Sequence, residues 1–137
     1  MGYASPSTGY QGYVASDNSL VKITGVQGVN ELDWTDIYTG AFITDLRVLT
    51  TLRFKVEINN PNPGTVYVRL QNTTTEETYA EFSQANNGVN YTAHQADFAL
   101  NVNIRGQTIA IQGKQSGGAG SLRNTEIAGT LSPVTFS

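Results

Sequence analysis

Glu31, Asp33 and Asp36 crowd around Trp34, and carboxylates at this spacing could offer oxygen ligands to a calcium ion. The run Glu31-Leu32-Asp33-Trp34-Thr35-Asp36 lacks the glycine and regular ligand order of a calcium-binding loop, so a solvated loop is expected. Glu76, Glu77 and Glu81 could pair as the acid and nucleophile of a glycosidase, but that chemistry needs a deep cleft that a small sandwich seldom provides. Ser83, Ser116 and Ser121 would need His94, the sole histidine, as a base, and none sits in a Gly-x-Ser-x-Gly elbow. His94 is expected at a loop or strand edge. Gly117-Gly118-Ala119-Gly120 lacks the Lys-Ser/Thr ending of a phosphate loop, and no helix follows it. With no cysteine and one histidine, thiolate and two-histidine metal sites are excluded. Neither an enzyme nor a cofactor is expected.

The aromatic residues Trp34, Tyr38, Tyr67, Tyr79 and Tyr91 offer a different chemistry, stacking against a sugar ring. Tyr67 sits on the polar face of its strand and should show its ring to solvent or to a partner. Trp34, Tyr67 and Tyr91 are the expected glycan-facing set. Core filling accounts equally well for most of the other rings. Asn72-Thr73-Thr74 and Asn90-Tyr91-Thr92 are formal glycosylation acceptors, which a Thr- and Asn-rich chain produces by chance.

These side chains must be carried by a chain of 137 residues, the length of one ordinary domain. Only 14% of its residues are charged, well below the roughly 25% of an average soluble domain. Thr, Asn, Ser, Gln and Gly fill the gap, a composition that suits rigid sheets, sugar-facing sites and particle surfaces. A net charge of −3, with eight Lys and Arg scattered from Lys22 to Arg123, argues against a nucleic-acid partner. Met1-Gly2-Tyr3-Ala4-Ser5-Pro6 has neither a basic n-region nor an apolar h-region, so no secretory leader is expected. Apolar runs are only a few residues long, and no membrane span is expected.

Residues 1–16 lack periodicity and interleave Tyr3, Tyr10 and Tyr13 with Gly, Ser and Pro. They are expected to form an extended N-terminal arm that lays its tyrosines on a partner. Residues 17–137 read as one β-sandwich. Ser19–Ile23 is a first strand. Leu46–Ile58 is the clearest, with Leu52, Phe54, Val56 and Ile58 alternating against Arg53, Lys55 and Glu57. The turn at 59–64 leads to Val66, Val68 and Leu70, which alternate against Tyr67, Arg69 and Gln71. The two runs are expected to pair as an antiparallel hairpin. Glu76–Phe82 could be a strand or one turn of helix, and 86–95 a loop. Phe98–Ile104, Thr108–Ile111 and Glu126–Phe136 complete an all-β, antiparallel sandwich or jelly roll of about eight strands.

The runs Leu52–Ile58, Gly64–Leu70, Phe98–Ile111 and Gly129–Phe136 resemble the small jelly rolls of viral and phage particles. More distantly they resemble trimeric tumour-necrosis-factor-like heads. The resemblance covers roughly the last two-thirds of the chain and carries no functional residues over. It implies a homotrimer, with Phe136 on a closing strand near the trimer axis. It also implies a place on the virion surface as a capsid decoration (cement) protein whose partner is the major capsid protein or another virion protein. Tyr3, Tyr10, Tyr13 and Phe136 are the expected partner contacts. Two alternatives are a glycan-binding, receptor-binding fibre head and a carbohydrate-binding module.

Overall fold

The computed structural model of the chain describes residues 18–41, 49–99 and 107–131. Tyr3, Tyr10, Tyr13 and Phe136 lie outside the described residues. The described residues form nine strands and no helix. These are β1 (Asn18–Ile23), β2 (Gln27–Val29), β3 (Thr35–Ala41), β4 (Leu49–Asn59), β5 (Thr65–Asn72), β6 (Glu77–Ala85), β7 (Thr92–Ala99), β8 (Thr108–Gln115) and β9 (Gly120–Leu131). One sheet runs β1-β9-β4-β7, with β2 also on β9, and the other runs β3-β8-β5-β6. Every pairing is antiparallel. This is an antiparallel β-sandwich of the jelly-roll kind.

The core follows from period-two patterning. Leu52, Phe54, Val56 and Ile58 of β4 face Val66, Val68 and Leu70 of β5 between the sheets, joined by Ile109, Ile111, Leu122 and Ile127. Successive strand residues point to opposite faces, so each strand gives one set of side chains to the core and the other to water. On β5 this alternation runs unbroken from Thr65 to Asn72.

The expected hairpin between β4 and β5 does not form. β4 pairs with β7 and β9, whereas β5 pairs with β6 and β8, so the 59–64 turn crosses from one sheet to the other. Two amphipathic strands can bury their apolar faces edge to edge or face to face, and alternation alone does not distinguish the two. The crossing leaves backbone groups without ladder partners, and asparagine side chains replace them. Buried Asn60 donates through Nδ2 to Gly64 O (2.9 Å) and Gln84 O (3.0 Å), and its Oδ1 accepts from Asn62 N at 3.0 Å. Asn87 accepts from Asn60 N and donates to Ile58 O, while Asn59 donates to the carbonyls of Gly88 and Asn90. Asn62 donates to Ala119 O. Gly64 and Gly117 meet so closely that a Cβ on either would strike the other's backbone nitrogen. Three loops at one end of the sandwich are thus tied together.

Other boundaries move. Glu77–Ala85 is strand rather than helical turn. Thr92–Gln95, expected in a loop, opens β7, and Gly120 opens β9 six residues before the expected start. β3 was not foreseen. A register shift between Asp36 and Tyr38 breaks its alternation, leaving Ile37 and Tyr38 both partly buried.

At the β6–β7 side the sandwich is closed by rings from both sheets. Phe82 stacks between Phe54 (5.5 Å) and His94 (5.3 Å), and Tyr79 stacks on Phe98 at 5.0 Å. His94 Nε2 donates to Gln84 Oε1 at 2.7 Å, and partial burial holds its pKa below the ordinary imidazole range. The unfolded chain therefore takes up a proton that the folded chain refuses. Stability is retained above the ordinary imidazole pKa of about 6.5 and declines as the pH falls through it towards the folded value. Melting temperatures at pH 7 and pH 5.5 are expected to differ more for the wild type than for His94→Gln. Equal pH sensitivity of the two would contradict this assignment.

Candidate functional site

Alternation in β5 puts Tyr67 and Arg69 on the outer face of the four-stranded sheet. Register brings Lys114 of β8 opposite Tyr67, and Gln112 opposite Arg69. Trp34 immediately precedes β3, where Thr35 pairs with Gly113, so its indole reaches the same rows. Trp34 and Tyr67 meet edge to face, with centroids 6.4 Å apart and planes at 66°. The Arg69 guanidinium carbon lies 4.2 Å from the Trp34 centroid, and Lys114 Nζ lies 4.9 Å from Trp34 and 5.2 Å from Tyr67. Ring quadrupoles attract cations at such distances. Arg69 also donates from Nε to Gln112 Oε1 (2.8 Å) and from Nη2 to Gln71 Oε1 (3.3 Å). The cluster is a half-buried aromatic and cationic patch.

Tyr91 does not join it. It lies over the outer face of the five-stranded sheet, with its hydroxyl 3.0 Å from Ser121 Oγ and Arg123 Cζ 4.0 Å above its ring. Beyond it runs a groove of about 580 Å³ lined by Lys22, Lys55, Glu57, Gln95, Asn124 and Glu126 among others. Charges in and beside it are largely paired. Arg123 Nε donates to Glu57 at 2.6 Å, Lys55 lies 3.5 Å from Glu126, and Arg53 bonds Asp97 through two nitrogens. Hydrogen bonds from Arg123 and Asn124 hold the Glu57 pKa below the usual carboxylate range. Asn124 adopts a left-handed conformation (φ 52°), and the β4–β9 register shifts here between Lys55 and Glu57. These exposed pairs are worth little to stability.

The two flanks of the sandwich differ. β1 and β3, at one side, each carry a register shift, and β1 is interrupted before β2. Bulges and breaks of this kind blunt an edge against further pairing. On the opposite side the β5–β6 ladder also shifts, between Leu70 and Gln71, whereas β7 pairs with β4 from Ile58↔Thr92 to Thr51↔Ala99 without a shift. Neither β6 nor β7 contains Lys, Pro or Gly, and no described strand pairs with their outer edges. Half-buried Tyr79, Phe82 and Phe98 lie between the two edges.

The candidate chemical groups remain apart. Glu31, Asp33, Asp36, Glu76, Glu77 and Glu81 are all exposed, and no metal-holding group of His, Cys, Asp and Glu occurs among the described residues. Ser116 Oγ accepts from Thr65 N and Ser121 bonds Tyr91, so neither of those hydroxyls serves His94. Asn72 is fully buried and bonded to Tyr79 and Gln107, which closes the first glycosylation acceptor, whereas Asn90 is exposed. Of the expected glycan-facing set, Trp34 and Tyr67 are brought together and Tyr91 is not. Arg69 and Lys114 were missed. Arg69 shares the Tyr67 face by simple alternation, but only the β5–β8 register reveals Lys114.

No protein-family model matches the sequence, nor does any curated protein. Solved structures resemble the fold. A CBM4 module is 8% identical over 82% of this chain and 77% of its own, with a TM-score of 0.50. The carbohydrate-binding module CBM6cm-2 from Cellvibrio mixtus lichenase 5A, solved with cellotriose, is 10% identical over 83% and 90% of the two chains, with a TM-score of 0.48. The VP2 subviral particle of infectious bursal disease virus is 12% identical over 92% of this chain and 37% of that one, with a TM-score of 0.41. At these identities the likeness shows the fold alone, an antiparallel jelly-roll sandwich.

Proposed function

We propose that this chain is a non-enzymatic structural protein of a virus particle, a decoration (cement) protein held on the capsid surface by a sandwich edge and its N-terminal arm. The observation that carries this reading is the β7 edge of the β6–β7 flank. A long, regular strand edge is a template for further pairing, and proteins that stay apart blunt such edges with lysine, proline or bulges. The chain has bulges in the β1 and β3 ladders and also in the β5–β6 ladder, but none of these devices along β7. The occupant of this flank is a strand of the major capsid protein or of a neighbouring copy in a homotrimer. Repetition over a lattice multiplies the avidity of each contact. Tyr3, Tyr10 and Tyr13 add contact area from the arm, and Phe136 packs near the trimer axis.

Ala93 and Gln95 are exposed residues of β7, on the sheet's outer face. Ala93→Lys/Gln95→Lys is expected to leave the melting temperature nearly unchanged and to abolish co-sedimentation with particles. A variant that still co-sediments as well as the wild type would remove this flank from the account.

A second reading, contact with a glycan by a receptor-binding head or carbohydrate-binding module, is favoured by one observation. Trp34 and Tyr67 stand at an angle on an outer sheet face with polar side chains around them, as sites for small polar ligands do.

A further inference from the structure

We propose that the Trp34–Tyr67–Arg69–Lys114 patch binds the carboxylate of an acidic sugar, a uronate or sialate unit within a surface glycan. This rests on the glycan reading and adds the charge of the ligand to it.

Arg69 and Lys114 converge on the same indole, and neither makes an ion pair among the described residues. Lys55, Arg53 and Arg123, on the other sheet, each have a carboxylate partner. Two like charges held over one ring repel; ring faces and two amide oxygens contact them, and among the described residues no carboxylate does. A carboxylate placed between them would relieve the repulsion and gain charge-assisted hydrogen bonds. Arg69 has donors to spare, because Gln112 and Gln71 take Nε and one Nη2 proton and so fix the fork in place. The angled rings of Trp34 and Tyr67 border the two cations and give the sugar an apolar rim beside its carboxylate.

The surroundings disfavour a polynucleotide. Asp36 pairs in register with Gln112 and accepts a hydrogen bond from it at 2.8 Å, and exposed Glu81 pairs in register with Arg69. A phosphate backbone needs a track of cations, whereas this site offers two positive charges between two acidic ones in a chain of net charge −3. A single carboxylate fits between them.

Trp34 is the only tryptophan, so its fluorescence reports the site directly. The full chain would be titrated with trigalacturonate, its fully methyl-esterified neutral form, 3′-sialyllactose, lactose and oligothymidylate. At least one carboxylated sugar is expected to give a saturable emission change, about tenfold or more tighter than its neutral counterpart. The effect should weaken with salt. Arg69→Gln and Lys114→Gln should each weaken it by about tenfold at an unchanged melting temperature. Equal response to acidic and neutral forms would overturn the carboxylate assignment and leave the glycan reading standing. No response to any sugar up to about 10 mM, the range of very weak sites, would overturn both. Tighter binding of oligothymidylate would overturn both in favour of nucleic acid.

Discussion

Phe54→Ala is expected to lower the unfolding free energy by about 3–5 kcal/mol, the range for truncating a buried phenylalanine. Phe54 is fully buried at the centre of β4, between Ala96 of β7 and Ile127 of β9 in register. Its ring stacks on Phe82 of the opposite sheet at 5.5 Å, so it ties the sheets together as well as filling space. Alanine would leave a cavity that two hydrogen-bonded sheets cannot collapse into. Phe54→Leu keeps most of the volume and should lose less. Urea unfolding followed by circular dichroism measures both. A loss below about 1 kcal/mol for the alanine variant would mean that the site relaxes freely, against the packing described.

Asn60→Leu is the second large effect, expected to be about 3 kcal/mol or more although the shape is nearly kept. Its amide is sealed in the crossing between sheets. A leucine there strands Gly64 O, Gln84 O and Asn62 N, three partly buried groups that each lose a partner, at roughly 1–3 kcal/mol for a group cut off from water. Asn60→Asp separates the two sides of the amide, because it keeps the acceptor for Asn62 N while losing both donors. An Asn60→Leu variant as stable as the wild type would mean that water reaches the crossing.

The sequence made the faces of the strands legible but not their neighbours. The buried and exposed residues of β4 and β5 follow their alternation, and Tyr67 points outward as expected. Pairing was illegible at 59–64, because the same amphipathic pattern serves a hairpin and a crossing. The asparagines there carried the missing signal, since a simple turn does not need Asn59, Asn60 and Asn62, with Asn87 from another loop, to satisfy its backbone. β3 was hidden by its bulge, and the Thr92–Gln95 half of β7 by its small and polar residues. Within the candidate site, Trp34 and Tyr67 were legible as aromatic residues suited to ligand contact. Their cations were not, because Lys114 comes from a strand 47 positions along the chain from Tyr67, and only sheet register joins them.

The β6–β7 flank is proposed as an assembly surface. It is tested most directly by co-sedimentation of the purified chain with virus particles from its source, followed by imaging of the decorated particles. Saturable binding is expected at symmetry-related positions, with β7 against a neighbouring strand and no binding by Ala93→Lys/Gln95→Lys. Absence of binding by the wild-type chain, or density showing that flank open to solvent, would contradict it.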